Sequence, residues 1–193
     1  MHRESFLHKD QVSLFERIRE LNLTLDVGFR KKYQRSLPLN EQFVGRWERA
    51  NRLGFGEGSS IYDSSLVIGQ PVVGKCCWIG PWTILDASGG LTIGDNCTIS
   101  AGVHIYTHDN IKSTLTSGRI GIERKAVRIE SNVYIAPNSI VTKGVCIGHC
   151  SVIAAYTLVK DDVPPYSIVA GQPGKAIGEV KVKGSNVEFV YDK

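Results

Sequence analysis

The chain has 193 residues, 42% hydrophobic and 22% charged, with a formal net charge of +4. That length suffices for one domain with its own core, and that balance excludes a disordered chain. No run of about 18 apolar residues is present, so no helix is expected to span a membrane, and the first twenty residues lack the apolar stretch of a secretory signal. Five cysteines, none spaced C-x-x-C, point to neither a zinc site nor a disulfide framework, and a reducing cytoplasm is the expected compartment. Residues 1–52 hold 11 Lys/Arg against 7 Asp/Glu, and the remainder holds 12 of each. An excess this small does not point to nucleic acid.

Leu7, Leu14, Phe15, Ile18, Leu21 and Leu25 fall at helical spacing and predict a helix over 7–25, with Asp10 as its cap. The run Arg30-Lys31-Lys32-Tyr33-Gln34-Arg35 reads as a solvated face, with a surface for an anionic partner, including peripheral membrane contact, as the second reading. A second helix is expected from Asn40, carrying Phe43, Trp47 and Ala50 on one side and stopping at Gly54.

From residue 61 the helical period disappears and a period of six replaces it. Aliphatics fall at Ile61, Val67, Val73, Ile79 and Leu85, then after a two-residue slip at Ile93, Ile99 and Ile105, and again at Ile129, Ile135, Val141, Ile147, Ile153 and Val159. A repeat this regular sets the architecture before any single motif does. Each hexad must be a short strand plus a corner, with the aliphatic inward. Small or β-branched residues (Cys97, Val103, Val133, Ser139, Val145, Ser151, Thr157) form a second inward column, and Asn96, Gly102, Asn132, Asn138 and Gly144 mark corners that need a left-handed backbone. Three sides per coil give an all-β parallel β-helix behind an N-terminal helical segment.

Ile93-Gly94-Asp95-Asn96, Ile147-Gly148-His149-Cys150 and the ending Lys160-Asp161-Asp162-Val163-Pro164-Pro165-Tyr166-Ser167-Ile168-Val169-Ala170-Gly171-Gln172-Pro173-Gly174-Lys175 resemble the hexapeptide-repeat acyltransferases over about residues 60–178. In particular they resemble the maltose/galactoside acetyltransferases and the bacterial polysaccharide O-acetyltransferases. The resemblance implies a left-handed coil of about eighteen residues, against the right-handed crossover usual between parallel strands. It also implies a homotrimer with sites between subunits, acetyl-CoA as co-substrate, no metal, and a sugar or polysaccharide acceptor. The expected domains are a helical cap over 1–56, the β-helix over 57–178 with a loop at 106–127, and a tail over 179–193.

The repeat is interrupted between Ile105 and Ile129, and a solenoid core cannot absorb the Tyr106-Thr107-His108-Asp109-Asn110 stretch or the charges that follow it. Loops on rigid scaffolds are where function concentrates. In the resembling family a histidine on or beside such a loop is the base, and His108 occupies that place; an imidazole is neutral near pH 7 and can then hold a proton. Asp86, one coil earlier at the phase slip, is expected to orient that imidazole, bind a sugar hydroxyl, or cap its own backbone. Asp109 is a second candidate for the acceptor. His104 and His149 are expected to face outward; the resembling γ-class carbonic anhydrases hold zinc through histidines five apart on one strand, and His104 and His108 are four apart. Cys77 and Cys97 read as core, and nothing in the sequence activates Cys76, Cys146 or Cys150. Small residues at Ala136, Ala154 and Ala155 would admit a pantetheine arm, and the resemblance implies that Lys160 and Lys175 meet coenzyme A phosphates. Trp78 and Trp82 are expected to face outward toward a subunit contact. Two other functions stay open: N-acetylation of an amino-sugar nucleotide, and a non-enzymatic assembly module.

Overall fold

The computed structural model describes residues 3–192. Two compact units divide the chain between Gly45 and Arg46, earlier than the expected boundary at 56, because Arg46–Phe55 packs on the solenoid.

In the first unit, helix α1 (Lys9–Tyr33) is followed by the short α2 (Leu39–Phe43), tied to it by Asn22 Nδ2 donating to Gln42 Oε1 at 3.0 Å. α1 begins at His8, whose N–H donates to Gln11 Oε1 at 3.0 Å. Asp10, the expected cap, lies in the first turn, where its carboxylate still faces the positive end of the helix dipole. The helix continues past Leu25 because no proline occurs before Pro38, and Arg30, Lys31 and Lys32 in its last turn complement the negative end. Gln34, at φ 54°, closes it through an N–H bond to Arg30 O at 3.1 Å. The single helix expected from Asn40 is two, α2 and α3 (Arg46–Arg52), since Val44 is extended and Val44-Gly45 are poor helix formers.

In the second unit, strands of two to four residues stack into three parallel sheets, the faces of a prism. Eighteen residues make one coil: Ser60 pairs with Trp78, Leu66 with Ile84, and Arg128 with Cys146. The coil is left-handed. Inter-coil bonds such as Tyr134 N–H to Ser151 O (3.0 Å) and Ile140 N–H to Thr157 O (2.8 Å) satisfy the backbone that so short a strand cannot satisfy alone. Every member of the aliphatic column is buried except Val67, which is half-buried against the same cluster. The second inward column is buried throughout. The corner column is left-handed as expected, from Asn96 (φ 55°) through Asn138 (φ 60°) to Gly144 (φ 86°). It also includes Cys76, Trp82, Cys150 and Tyr156, side chains that pay for that backbone with steric strain.

Both ends of the prism are covered. Ala50 and Phe55 bury against the first coil, and the Arg49 guanidinium donates to Tyr62 O and, at 2.8 Å, to Ser65 O. At the other end the residues expected as a tail belong to a hairpin, Lys175–Lys183 with Asn186–Tyr191, that adds antiparallel to Ser167–Ala170. The two-residue slip is a turn at Ala87–Gly90, so Ile84 pairs with His104, twenty residues on. The larger interruption leaves the same corner one coil later, and His104 then pairs with Ile140.

Candidate active site

The larger interruption is an arm rather than a slack loop. His108–Asp109 pairs antiparallel with Glu123–Arg124, and between them lies helix α4 (Ile111–Leu115). At its root the smaller insertion meets it. Gly89 N–H donates to Thr107 Oγ1 at 2.8 Å, and Lys125 N–H to Thr107 O at 2.9 Å.

Asp86 is fully buried beneath this junction. Its Oδ1 accepts the Ser88 N–H at 2.9 Å. Its Oδ2 accepts the Thr107 N–H at 2.8 Å, the Thr107 hydroxyl at 3.1 Å, and His108 Nδ1 at 2.7 Å. Burial pushes the carboxyl up, but the bonds from Ser88, Thr107 and His108 outweigh it and hold Asp86 well below the usual carboxylate range. An ionised Oδ2 requires the proton of a neutral His108 on Nδ1, which leaves the Nε2 lone pair free. Asp86 thus orients the imidazole and caps its own turn. No part of its side chain reaches solvent in the single chain.

His108 stands a third exposed in the wall of a cavity of about 660 Å³ lined also by Tyr106, Asp109, Asn110, Thr142, Lys143 and Lys160. Asp109 carries an ion pair with Lys143 and accepts the Ile111 N–H at 3.2 Å. The Lys143 bond holds its carboxyl below the ordinary value. Lys143 also reaches Glu123 at 3.2 Å, and Glu123 reaches Lys112 at 2.6 Å, so this network pins the arm to the following coil.

His149 forms a second carboxylate pair, Nδ1 to Glu130 Oε2 at 2.9 Å, but both members are well exposed and line a different groove with Arg128. His104 Nδ1 meets Tyr106 Oη at 3.2 Å on the outside of its strand. Among the described residues no cluster of His, Cys, Asp and Glu is arranged to hold a metal. Cys77 and Cys97 are buried in the core, and burial pushes the Cys146 thiol up, away from reactivity. Trp82 is exposed at its corner, whereas Trp78 is half-buried edge-on to Tyr62.

The residues expected to hold the donor are not brought together in one chain. Lys160 follows Leu158–Val159, on the His108 edge of that face. Ala136 lies on the corner before the same face, in a small-residue column running Gly80, Ser100, Ala136, Ala154, Ala170, and Ala155 follows that column by one residue. Lys175 is exposed beside that corner, since Gly174 N–H donates to Leu158 O at 2.8 Å. Gly174 itself is required there: a Cβ would sit 2.9 Å from Thr157 Cγ2. Ala136 is almost wholly buried and Ala155 is exposed.

No family model matches the chain. It is 29% identical over 111 residues to the galactoside O-acetyltransferase of Escherichia coli K12, covering 53% of this chain and 55% of that protein. It is 41% identical over 64 residues to a 2,3,4,5-tetrahydropyridine-2,6-dicarboxylate N-acetyltransferase of Clostridium perfringens, covering 33% and 27% respectively. The chain thus spans about half the length of the first of these curated relatives and about a quarter of the second. A crystal structure of a hexapeptide-repeat-containing acetyltransferase of Vibrio cholerae superposes with a TM-score of 0.55 at 25% identity, over 85% of this chain and 91% of that one. These comparisons show the hexapeptide-repeat fold and a likeness to the acetyltransferases that carry it. Within this hexapeptide-repeat chain, the sequence pointed to His108 and to Asp86 as a partner, but not to Thr107, Ser88, Tyr106 or Lys143. For Ser88 a signal was present, the Asp-x-Ser turn at the slip. For Lys143 there was none, because it meets Asp109 across 34 residues of chain.

Proposed function

We propose that this chain transfers an acetyl group from acetyl-CoA to a sugar hydroxyl, with His108 as general base. The observation that carries the reading is the imidazole fixed through Nδ1 on a buried, ionised Asp86 in the wall of a cavity large enough for a sugar. His108 Nε2 takes the proton of the acceptor hydroxyl as its oxygen attacks the thioester carbonyl. The tetrahedral intermediate then expels the CoA sulfur, which takes the proton back from the imidazolium and leaves as free thiol. Asp86 stabilises the imidazolium between the two proton transfers. No acyl-enzyme is required, in keeping with a His108 cavity whose described lining holds no cysteine.

The placement of Ala136, Ala155 and Lys175 on the far edge of the His108 face supports a homotrimer, in which one copy's small-residue corner and Lys175 stand against a neighbour's His108. Such a site is whole only between copies. A cytoplasmic setting goes with the reading, since acetyl-CoA is supplied there. N-acetylation of an amino-sugar nucleotide is the second reading, favoured by the identity to the tetrahydropyridine dicarboxylate N-acetyltransferase. The deciding experiment measures CoA release and acetylated product by mass spectrometry on parallel panels of neutral sugars, acidic sugars and UDP-aminosugars, for wild type and His108→Ala. Transfer to hydroxyls, with kcat lowered about 10²–10⁴-fold in the variant, is expected. Transfer only to amines would replace the first reading with the second. Mixed trimers of His108→Ala and Lys175→Glu should recover activity that neither variant has alone.

A further inference from the structure

Charges around the His108 cavity pair off with one exception. Lys143 lies between Asp109 and Glu123, and Lys112 holds the other side of Glu123. Lys160 lines the same cavity, is exposed, and has no carboxylate within ion-pair distance among the described residues. The nearby Asp162 is turned to the next face, where its Oδ1 accepts the Cys146 N–H at 2.7 Å. The arm over the cavity adds to the imbalance, carrying Lys112, Arg119, Arg124 and Lys125 against Asp109 and Glu123 alone. Elsewhere the solenoid shows no such excess: outside this arm, residues 53–193 hold fewer cations than anions.

From this we infer that the acceptor in the His108 cavity is an acidic sugar, one carrying a carboxylate or a phosphate, and that Lys160 selects it. The inference rests on the reading of His108 as the acetyl-transfer base. It corrects the expected role of Lys160, and geometry supplies the reason. The thioester must lie against His108 for transfer to occur. The pantetheine arm then carries the phosphates of coenzyme A well outside a cavity of about 660 Å³. A cation in the wall beside His108 therefore meets the acceptor, while Lys175, on the other edge, stays with the donor. Asn110, Thr142 and Tyr106 in the same wall offer hydrogen bonds to the ring hydroxyls.

The test uses the full chain and matched probes: galactose, galacturonate and galactose 1-phosphate, each titrated by calorimetry at two salt concentrations, and acetyl-CoA titrated separately. One or both acidic sugars should bind more tightly than galactose, and which of them does so distinguishes carboxylate from phosphate. Lys160→Gln, at an exposed position where folding is not at stake, should weaken the acidic sugar about tenfold, the low end for a hydrogen bond to a charged group because solvent screens the site. It should leave galactose and acetyl-CoA unchanged, and among the sugars salt should weaken only the acidic one. Equal binding of galactose and both acidic sugars, no binding of any acidic sugar, or an effect of Lys160→Gln on acetyl-CoA alone would each overturn the inference. Selective binding of an acidic sugar without acetyl transfer would count against the acetyl-transfer reading and leave the selection by Lys160 standing.

Discussion

Replacing Asp86 by Asn tests whether the buried carboxylate sets the tautomer of His108. Both its oxygens are occupied: Oδ1 by Ser88 N–H, Oδ2 by Thr107 N–H, Thr107 hydroxyl and His108 Nδ1. An amide can place its single oxygen on only one side. With oxygen toward His108, the NH2 group confronts the Ser88 N–H, and a buried unmatched donor costs roughly 1–3 kcal/mol of stability. With the NH2 group toward His108, Nδ1 must become the acceptor and the proton moves to Nε2, so the base is blocked. In either orientation the imidazolium loses a charged partner worth about 1.5–3 kcal/mol, a factor of about 10–10² in kcat at 1.4 kcal/mol per decade. We expect kcat to fall about 10²-fold with the KM for acetyl-CoA unchanged, measured by CoA release. The fold should also report the lost charge. The native carboxyl titrates below its unfolded value, so it stabilises the protein above pH about 4 and that contribution is lost as pH falls toward the native value. Asp86→Asn should therefore show a flatter dependence of melting temperature on pH below about 4 than wild type. Retention by Asp86→Asn of more than about a third of kcat, under conditions where His108→Ala has lost the 10²-fold or more expected of a base, would refute the tautomer argument.

Three further outcomes are expected. Ile135→Asp, which puts a charge into a fully buried column, should cost several kcal/mol and leave little soluble protein; a soluble variant with the wild-type circular dichroism spectrum would show that the inward register is wrong. Asn132→Val, at φ 61°, should lower stability by about 1–2 kcal/mol while Asn132→Gly stays near wild type, read from denaturant midpoints. Lys143→Ala frees Asp109 and Glu123 from the following coil, so the arm over 106–127 should become sensitive to limited proteolysis, with the melting temperature of the solenoid little changed.

The solenoid was legible because its constraint is periodic. A narrow prism admits one aliphatic per side, so Ile61 through Val159 announce themselves in a single sequence, and the left-handed corners restrict a second column to Asn and Gly at most positions. Trp82 and Tyr156 hid their corners because neither residue type marks a left-handed backbone. The helical segment was less legible. Asp10 and Asn40 are good caps by type, yet the helix starts were fixed by His8 with Gln11 and by Pro38. At the site, His108 was visible as the histidine in the break, and Asp86 as the acid at the slip. Their supports were not, because Thr107 and Lys143 act through pairings set by the stacking of coils rather than by spacing along the chain.

A strictly periodic solenoid has translational symmetry along its axis, and under that symmetry every corner is chemically equivalent to the one above it. Catalysis needs one corner to differ. Here two lattice defects, the turn at 87–90 and the arm at 106–127, fall on the same edge in successive coils, and each returns the chain in register, so Ile84, His104 and Ile140 still stack. The site is therefore a local dislocation that the repeat tolerates without strain reaching its neighbours. Whole eighteen-residue coils could be added or removed beyond it, or both defects moved together by one coil, and the Asp86–His108 geometry would travel with them.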